Sequence, residues 1–434
     1  MRAESRRAAT FGGAVILCVA ILFAGCQRAG RDTTGVQLVF KHARIIGPYD
    51  PIPALLRQFE AEHPGLSVKS EVLPWNADEQ HQFYAINLEG GRAGFDVFMM
   101  DVIWVPEFAR AGWLLDLTTH VSPAEREAFF PSTIDAATQG GRFWGLPWNM
   151  NVGLLYYRRD LLARHGFASP RTYDEMAIQI RQIRAAEPPP LDGYLWQGKQ
   201  YEGLVVNVLE ELWANGSDML GPGDVIFPEP NRAEEVLAFM RALITTGLSP
   251  RWITAADEEL GRRAFGDGRA IFYRGWPYAL DLFELPDSPV RGKVGIAPLP
   301  RHLHGTVSPG STGGSHLGIH RHTPHPKDAI ALARFLTSEA AQRRIAASAA
   351  LWPTRVRLYE DADLVARQPA MPAILALAQA ARPRPVTPYY LVLSTSLQPE
   401  LSAALVGVKT PAASVRDARQ RLAYLLGALS PATR

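Results

Sequence analysis

"VQLVFKHARI", residues 36–45, decides how the rest of the chain is read. A short run in which apolar residues dominate reads as a buried strand. The next sixty residues make it a parallel one. Asp50-Pro51 starts a helix, with Asp50 as N-cap and a proline, which has no amide to leave unpaired, at the first helical position. Ile52, Leu55, Leu56 and Phe59 fall on one stripe of that helix, and Pro64-Gly65 stops it. "LSVKSEVL" (66–73) reads as a second strand, a further helix ends at Gly90-Gly91, and "FDVFMMD" (95–101) reads as a third strand. Strand, helix, strand, helix, strand is the α/β pattern, because parallel neighbours need a crossover between them. Ligands of such sheets bind beyond the carboxyl ends of the strands. Asp50 and Asp101 fall there.

A second series follows "GLPWNMNVGLLYY" (145–157). Thr172-Tyr173-Asp174-Glu175 is a capping box that opens a helix with Met176, Ile180 and Ile183 on one face. Further helices are expected from Asn231 and Pro326, and a last one from about Pro411, capped by Thr410. No internal repeat, coiled coil or low-complexity block interrupts the chain. The pattern predicts two α/β lobes with the chain crossing between them.

The N-terminus stands apart. Arg2, Arg6 and Arg7 precede the uncharged run "FGGAVILCVAILFA" (11–24), which ends at Gly25-Cys26. A basic head, a short apolar stretch and small residues before a cut form a secretory signal, here residues 1–25. The run is too short for a comfortable membrane span, which takes about 20 residues. Removing it takes three of 45 basic and one of 43 acidic residues, leaving 42 of each. That balance gives no basic footprint for nucleic acid. The chain has two cysteines, Cys18 inside the apolar run and Cys26 at its end, so an exported form has no internal disulfide and relies on core burial. "LFAGC" resembles the lipobox of bacterial lipoproteins, although Phe23 stands where leucine is usual. The resemblance implies acylation of Cys26 and a membrane anchor through it, with residues 26–35 as tether. An ordinary signal with a chance cysteine is the alternative.

Ten tryptophans carry the chemical signal, several beside glycine, proline or polar residues: Trp75 in "LPWNAD", Trp148 in "LPWNMN", Trp276 in "RGWPYA". Each alone is as well explained by packing at a turn. With Asp101, Asn151 and Glu202 they suggest a sugar site, in which flat rings stack on C–H faces while carboxylates and amides bond hydroxyls.

"FDVFMMDVIWVPEFARAGWLLDLT", "GLPWNMNVGLLYYRRDLL", "GYLWQGKQYEGLVVNVLEELWANG", "FYRGWPYAL" and "RPVTPYYLVLSTSLQPELSAAL" resemble the extracellular solute-binding proteins of family 1, in the same order from residue 36 onward. Within them the chain is most similar to the trehalose/maltose-binding subgroup that serves ABC importers. The resemblance implies a periplasmic-binding-protein clamshell of type II, maltose-binding-protein-like, with a cleft between two α/β lobes joined by three crossovers. Residues 36–148 and 308–348 would form the N-terminal lobe, 149–307 and 349–434 the C-terminal one. It implies a monomer that binds a sugar, works with ABC permease subunits, and needs no cofactor or metal.

Carried over by position, Asp101 matches a cleft carboxylate, Trp276 the stacking tryptophan, and Arg384 an arginine reaching the ligand from the second lobe. Asp50 stands for a first-lobe glutamate, with a plain N-cap role as the alternative. Tyr201 and Glu202 lie in the family motif "GKQYEGL", where a structural role is equally open. The chain departs from the family twice. Asn151 replaces an aspartate, and in "PGSTGGSHLGIH" (309–320) Ser315 replaces a tryptophan after Gly313-Gly314. Losing a stacking face and a charged acceptor each costs about 1–3 kcal/mol for the family's usual disaccharide. Weak trehalose binding is therefore expected, with a bulkier or differently shaped ligand, and, with Asn151 in place of a carboxylate, better tolerance of an anionic substituent, more so if His316 beside the cleft is protonated.

Three other readings compete. Six of eleven histidines, His302 to His325, cluster within 24 residues, but no His-Glu-x-x-His or cysteine partner accompanies them and a solvated edge is the plainer reading. A secreted glycoside hydrolase needs two carboxylates about 5–10 Å apart, and Asp101 lacks an evident partner. An importer-independent sensory or scaffold lipoprotein is the third.

Overall fold

The strands expected at the start of the chain form and pair in parallel. In the computed structural model, which describes residues 35–45, 49–74, 76–91, 94–188, 191–302, 304–306, 308–348 and 351–429, β1 (Val36–Ala43) lies between β2 (Leu66–Leu73) and β3 (Val97–Asp101), parallel to both. The connecting helices are α1 (Ile52–Glu62) and α2 (Ala77–Glu89). α1 buries the stripe Ile52, Leu55, Leu56 and Phe59. Its first turn sits one residue later than expected: Pro51 occupies the N-cap position, and the Asp50 carboxylate accepts the Ile52 amide at 2.9 Å. The signal, Cys26 and the tether up to residue 34 lie outside the described residues.

The chain then runs through β4 (Leu146–Val152) and, after the single residue Gly153, straight into β5 (Leu154–Arg158) of a second sheet. There follow α3 (Tyr173–Ala186), β6 (Asp192–Leu195), α4 (Glu202–Ala214), α5 (Pro230–Thr245), α6 (Glu258–Gly266), β7 (Ala270–Gly275) and β8 (Val294–Ala297). The second sheet has the order β8-β5-β7-β6. At α3 the Thr172 hydroxyl accepts the Glu175 amide, while the Glu175 carboxylate accepts the Arg171 amide, one residue short of a closed box. The chain returns in β9 (Ser311–Ile319), passes α7 (Pro326–Leu336) and α8 (Glu339–Ser348), and reaches β10 (Trp352–Pro353). It comes back once more in β11 (Arg382–Pro383), then ends in α9 (Tyr390–Val406) and α10 (Pro411–Leu429), which pack on α5 of the second lobe.

Among the described residues the first sheet therefore has seven strands, in the order β10-β4-β9-β3-β1-β2 with β11 beside β9. All of β4 belongs to it, so the first crossing falls at Gly153, beyond the expected boundary at 148. β10 and β11, in a stretch assigned to the second lobe, also pair with the first sheet; two-residue strands leave no periodicity to read. One core, with Phe40, Phe59, Trp148 and Leu317, covers one face of this sheet, and another, with Tyr84, Phe98 and Phe108, covers the other. The second lobe has the largest core, which takes in Leu155, Ile180, Leu209, Phe272 and Leu401. α4 is buried on every side, from Glu202 to Ala214, and it carries three glutamates into the interior.

Candidate functional site

Strand register assembles the first wall of a cavity of about 340 Å³ between the lobes. β9 runs antiparallel between β3 and β4, which sets Ser315 opposite both Asp101 and Asn149, and Gly313 opposite Asn151. Side chains alternate along a strand, so Asn149 and Asn151 both face the cavity while Trp148 points the other way. Ser315 Oγ donates to Asn149 Oδ1. Gly314 has φ +116°, and a Cβ there would lie 2.2 Å from the Asn149 carbonyl oxygen. Only glycine fits. The register shifts between Ser315 and His316, as at a β-bulge. Gly313, Gly314 and Ser315, all ahead of the shift, line the cavity.

The second lobe supplies the opposite wall from three element starts: Gln197 to Gly203 ahead of and within the first turn of α4, Asp257 to Glu259 at the start of α6, and Trp276 and Tyr278 after β7. The Tyr201 ring folds over Gly203, where a Cβ would meet its hydroxyl at 2.2 Å, and that hydroxyl donates to Glu258 Oε2 at 2.5 Å. Burial pushes the Glu258 carboxyl up, against the opposing hydrogen bond from Tyr201. Tyr278 Oη donates to Glu259 Oε1 at 2.8 Å, and Arg262 forks onto the same carboxylate. Burial raises Glu259 too, but the hydrogen bonds and charge of Arg262 outweigh it and hold the carboxyl below its usual range.

Arg384 joins the two walls. It follows β11, so it reaches the cavity from the interlobe segment paired to the first sheet instead of from the second lobe as expected. Its guanidinium donates to Asp101 Oδ1 at 2.6 Å and to Glu202 Oε1 at 3.0 Å. Glu202 also accepts from Tyr390 Oη at 2.8 Å and Ser394 Oγ at 2.5 Å. Burial pulls the Arg384 pKa down, yet Asp101, Tyr390 and Glu202 together leave it above the ordinary value. Burial raises the Glu202 carboxyl against the Arg384 charge and the two hydroxyls. A charged group held between two carboxylates of opposite walls is a polar floor on which hydroxyls can bond.

Of the residues singled out from the sequence, Asp101, Asn151, Tyr201, Glu202, Trp276, Gly314, Ser315 and Arg384 line this one cavity. Three do not. Asp50 is exposed and caps α1. Trp148 is buried in the first-lobe core, with its ring edge-on to Phe40. His316 is fully buried on the far side of the bulge, where its Nε2 meets the Thr133 carbonyl at 2.8 Å, and burial pulls it down to about 4. It offers no positive charge to a ligand, so its share in the expected tolerance of an anionic substituent falls away, and Asn151 stands in a cavity that Asp101, Glu202 and Asp257 to Glu259 also line. Trp75 lies outside the described residues. Asn149, Gln197, Trp104 and Tyr278 were missed. Asn149 was legible from its i+2 spacing to Asn151, and Tyr278 from its place two residues after Trp276.

The histidine cluster is solvated only in part, with His304 and His322 exposed. His302 pairs with Glu211 at 2.7 Å and His320 is buried. Among the described residues no group of three or more His, Cys, Asp or Glu could hold a metal ion.

Comparison with known proteins agrees with this geometry. The family model described as bacterial extracellular solute-binding protein matches residues 45–343. A protein of Deinococcus radiodurans named "Probable ABC transporter-binding protein" is 32% identical over 376 residues, covering 85% of this chain and 88% of its own. The maltose-bound MalE3 structure of T. maritima is 35% identical with a TM-score of 0.85, over 90% of this chain and 100% of that one. A solute-binding protein of Thermotoga lettingae bound to α-D-tagatose shares the fold, at 22% identity and a TM-score of 0.79, over 89% of this chain and 98% of that one. On the family match and the similarity to its relatives, with two lobes, three crossings and a cavity between, the chain belongs to the bacterial extracellular solute-binding proteins and has their type II, maltose-binding-protein-like clamshell fold.

Proposed function

We propose that this protein captures a neutral sugar, a disaccharide, short oligosaccharide or glycoside, in the interlobe cavity and delivers it to the permease subunits of an ABC importer. The observation that carries the reading is the cavity itself, where two tryptophans, Trp276 and Trp104, stand beside a row of hydroxyl partners, Asp101, Asn149, Asn151 and Arg384. Maltose in the T. maritima relative supports a sugar. The cavity lies at the small end of the usual ~300–1,000 Å³ range, which suits one or two rings. Binding proceeds without chemistry in this reading: Asp101 and Glu202 are held by Arg384, Asp257 accepts the Leu260 amide, Glu258 accepts the Tyr201 hydroxyl and Glu259 is forked by Arg262.

The protein is exported as a monomer and held at the membrane by a lipid on Cys26, facing the periplasm or cell exterior. An alkynyl fatty acid fed to cells then labels the wild type and not Cys26→Ser; label on the serine variant would remove the anchor. The binding reading is tested by calorimetry on the exported chain with maltose, trehalose, mannitol and ribitol. At least one neutral sugar or polyol should bind, and Trp276→Ala should weaken it by about 1–4 kcal/mol with folding unchanged. No binding by any of the four, or wild-type affinity in Trp276→Ala, overturns it. Tight trehalose binding would show that Asn151 and Ser315 leave the family's specificity intact.

A further inference from the structure

Trp276 is not a free-standing platform. Arg274, two residues earlier at the end of β7, lays its guanidinium against the indole with Cζ 4.0 Å from the ring centroid. That guanidinium is buried and forks onto Glu210 of α4, Nε to Oε2 at 2.7 Å and Nη2 to Oε1 at 2.5 Å, while Nη1 donates to Gln197 Oε1 at 2.9 Å. Glu210 does more than neutralise it. Its Oε1 also accepts the Ser311 amide at 2.8 Å and the Ser311 hydroxyl at 2.7 Å.

Ser311 is where the second interlobe crossing enters β9, and the other two crossings meet it there. The Gly153 amide, in the first crossing, donates to the Ser311 carbonyl at 3.0 Å, and the Arg382 amide, in the third, donates to the Gly310 carbonyl at 3.0 Å. The packing leaves no slack. A Cβ at Gly153 would fall 1.9 Å from Glu210 Oε1, and one at Gly310 would fall 1.9 Å from the Gly153 carbonyl oxygen. On the cavity side, a Cβ at Gly313 would touch the Trp276 ring at 3.3 Å, so the indole also lies against the first-lobe strand. One carboxylate thus contacts the hinge backbone and the cation stacked on the tryptophan.

A buried ion pair is weak evidence for stability, since well-packed apolar residues often serve as well. Its geometry is what an apolar pair cannot copy. The bidentate fork fixes the guanidinium plane, and a fixed plane orients the ring stacked on it. We propose that Glu210 and Arg274 are positioning residues that tie Trp276 to the convergence of the three crossings, so that the pose of the tryptophan follows the angle between the lobes. The proposal takes its functional meaning from the reading of Trp276 as the sugar platform, but the mechanical coupling stands independently of it.

The test uses the full chain labelled with 5-fluorotryptophan, with the Trp276 fluorine resonance assigned from Trp276→Phe. Ser311→Ala removes one hydroxyl from Glu210 at the hinge; Arg274→Lys keeps the charge and loses the fork and the stacking plane. The Trp276 resonance should shift or broaden in both, with the well-buried Trp148 signal unmoved. Maltose, or mannitol if maltose does not bind, should bind about tenfold more weakly to Arg274→Lys. An unmoved Trp276 resonance in folded Ser311→Ala overturns the coupling, whether or not Arg274→Lys folds. A moved resonance with unchanged sugar affinity upholds the coupling and overturns Trp276 as the platform.

Discussion

Replacing Arg384 by methionine keeps most of its aliphatic stem and deletes the charge that joins the two walls. The two carboxylates it leaves behind differ in their escape routes. The Asp101 side chain is 22% exposed and can recover water, whereas that of Glu202 is 9% exposed and cannot. Breaking a buried pair by removing one partner costs about 3–5 kcal/mol. Glu202 keeps the hydroxyl donors of Tyr390 and Ser394, and its remaining escape is to take up a proton. Burial already raises its carboxyl, and the Arg384 charge works against that rise; without the arginine the native-state value climbs further. A group whose native pKa lies above its unfolded value contributes stability below the unfolded value and loses it as pH rises through the native one. The Arg384→Met loss should therefore be small near the ordinary glutamate value of 4.5. It should grow, by up to about 1.4 kcal/mol per pH unit, once pH passes the wild-type native value, which burial already holds above 4.5, and level off at about 3–5 kcal/mol where the carboxyl of the variant ionises as well. Urea unfolding followed by circular dichroism at pH 5, 6.5 and 8 measures it, with Arg384→Met/Glu202→Gln as the partner variant. The double variant should be flat across this range and recover most of the loss at pH 8. A pH-independent loss, or no recovery from Glu202→Gln, would refute the reasoning.

Two further outcomes rest on backbone and burial. Gly314→Ala should lose about 2 kcal/mol or more in urea unfolding, since φ is +116° and a backbone oxygen occupies the Cβ position, while Gly91→Ala, at φ +69° with open space around it, should lose about 1; equal losses would contradict this account of the bulge. Burial holds the native His316 pKa at about 4 against an ordinary 6.5, so stability present above 6.5 is lost as pH falls toward 4, by up to about 3 kcal/mol. Unfolding midpoints of wild type and His316→Gln should diverge across that window, and parallel pH profiles would show that His316 titrates normally.

The first lobe was legible at the level of elements. β2 has the span read from its pattern, α1 buries the four residues of the apolar stripe, and α7 starts at the expected proline. These are local signals: the period of a strand, the stripe of a helix, a proline at a first turn. The errors fall where direction matters. Trp148 looked like a cleft residue because it sits between proline and asparagine, and His316 because it follows Ser315. Alternation fixes that Trp148 opposes Asn149 and Asn151, but not which of the two faces the cavity. His316 depends on a register shift against β4, where Ser315 pairs with Asn149 and His316 with Pro147, residues about 170 positions away in sequence.

By itself the sequence determined that the chain alternates strand and helix, that it is built in two lobes, and that motifs of a solute-binding family stand in order along it. Periodicity and short motifs are written in neighbouring residues, so no fold is needed to read them. Only the tertiary structure decided which side chains share a cavity. Asp101, Glu202 and Arg384 meet because β3, α4 and the segment after β11 end at the same place between the lobes. Glu210 grips Arg274 and Ser311 because all three crossings converge beside α4. Contacts of that kind join residues from about 60 to 280 positions apart, and the register and packing that create them are properties of the folded sheet and helices, not of any stretch of chain.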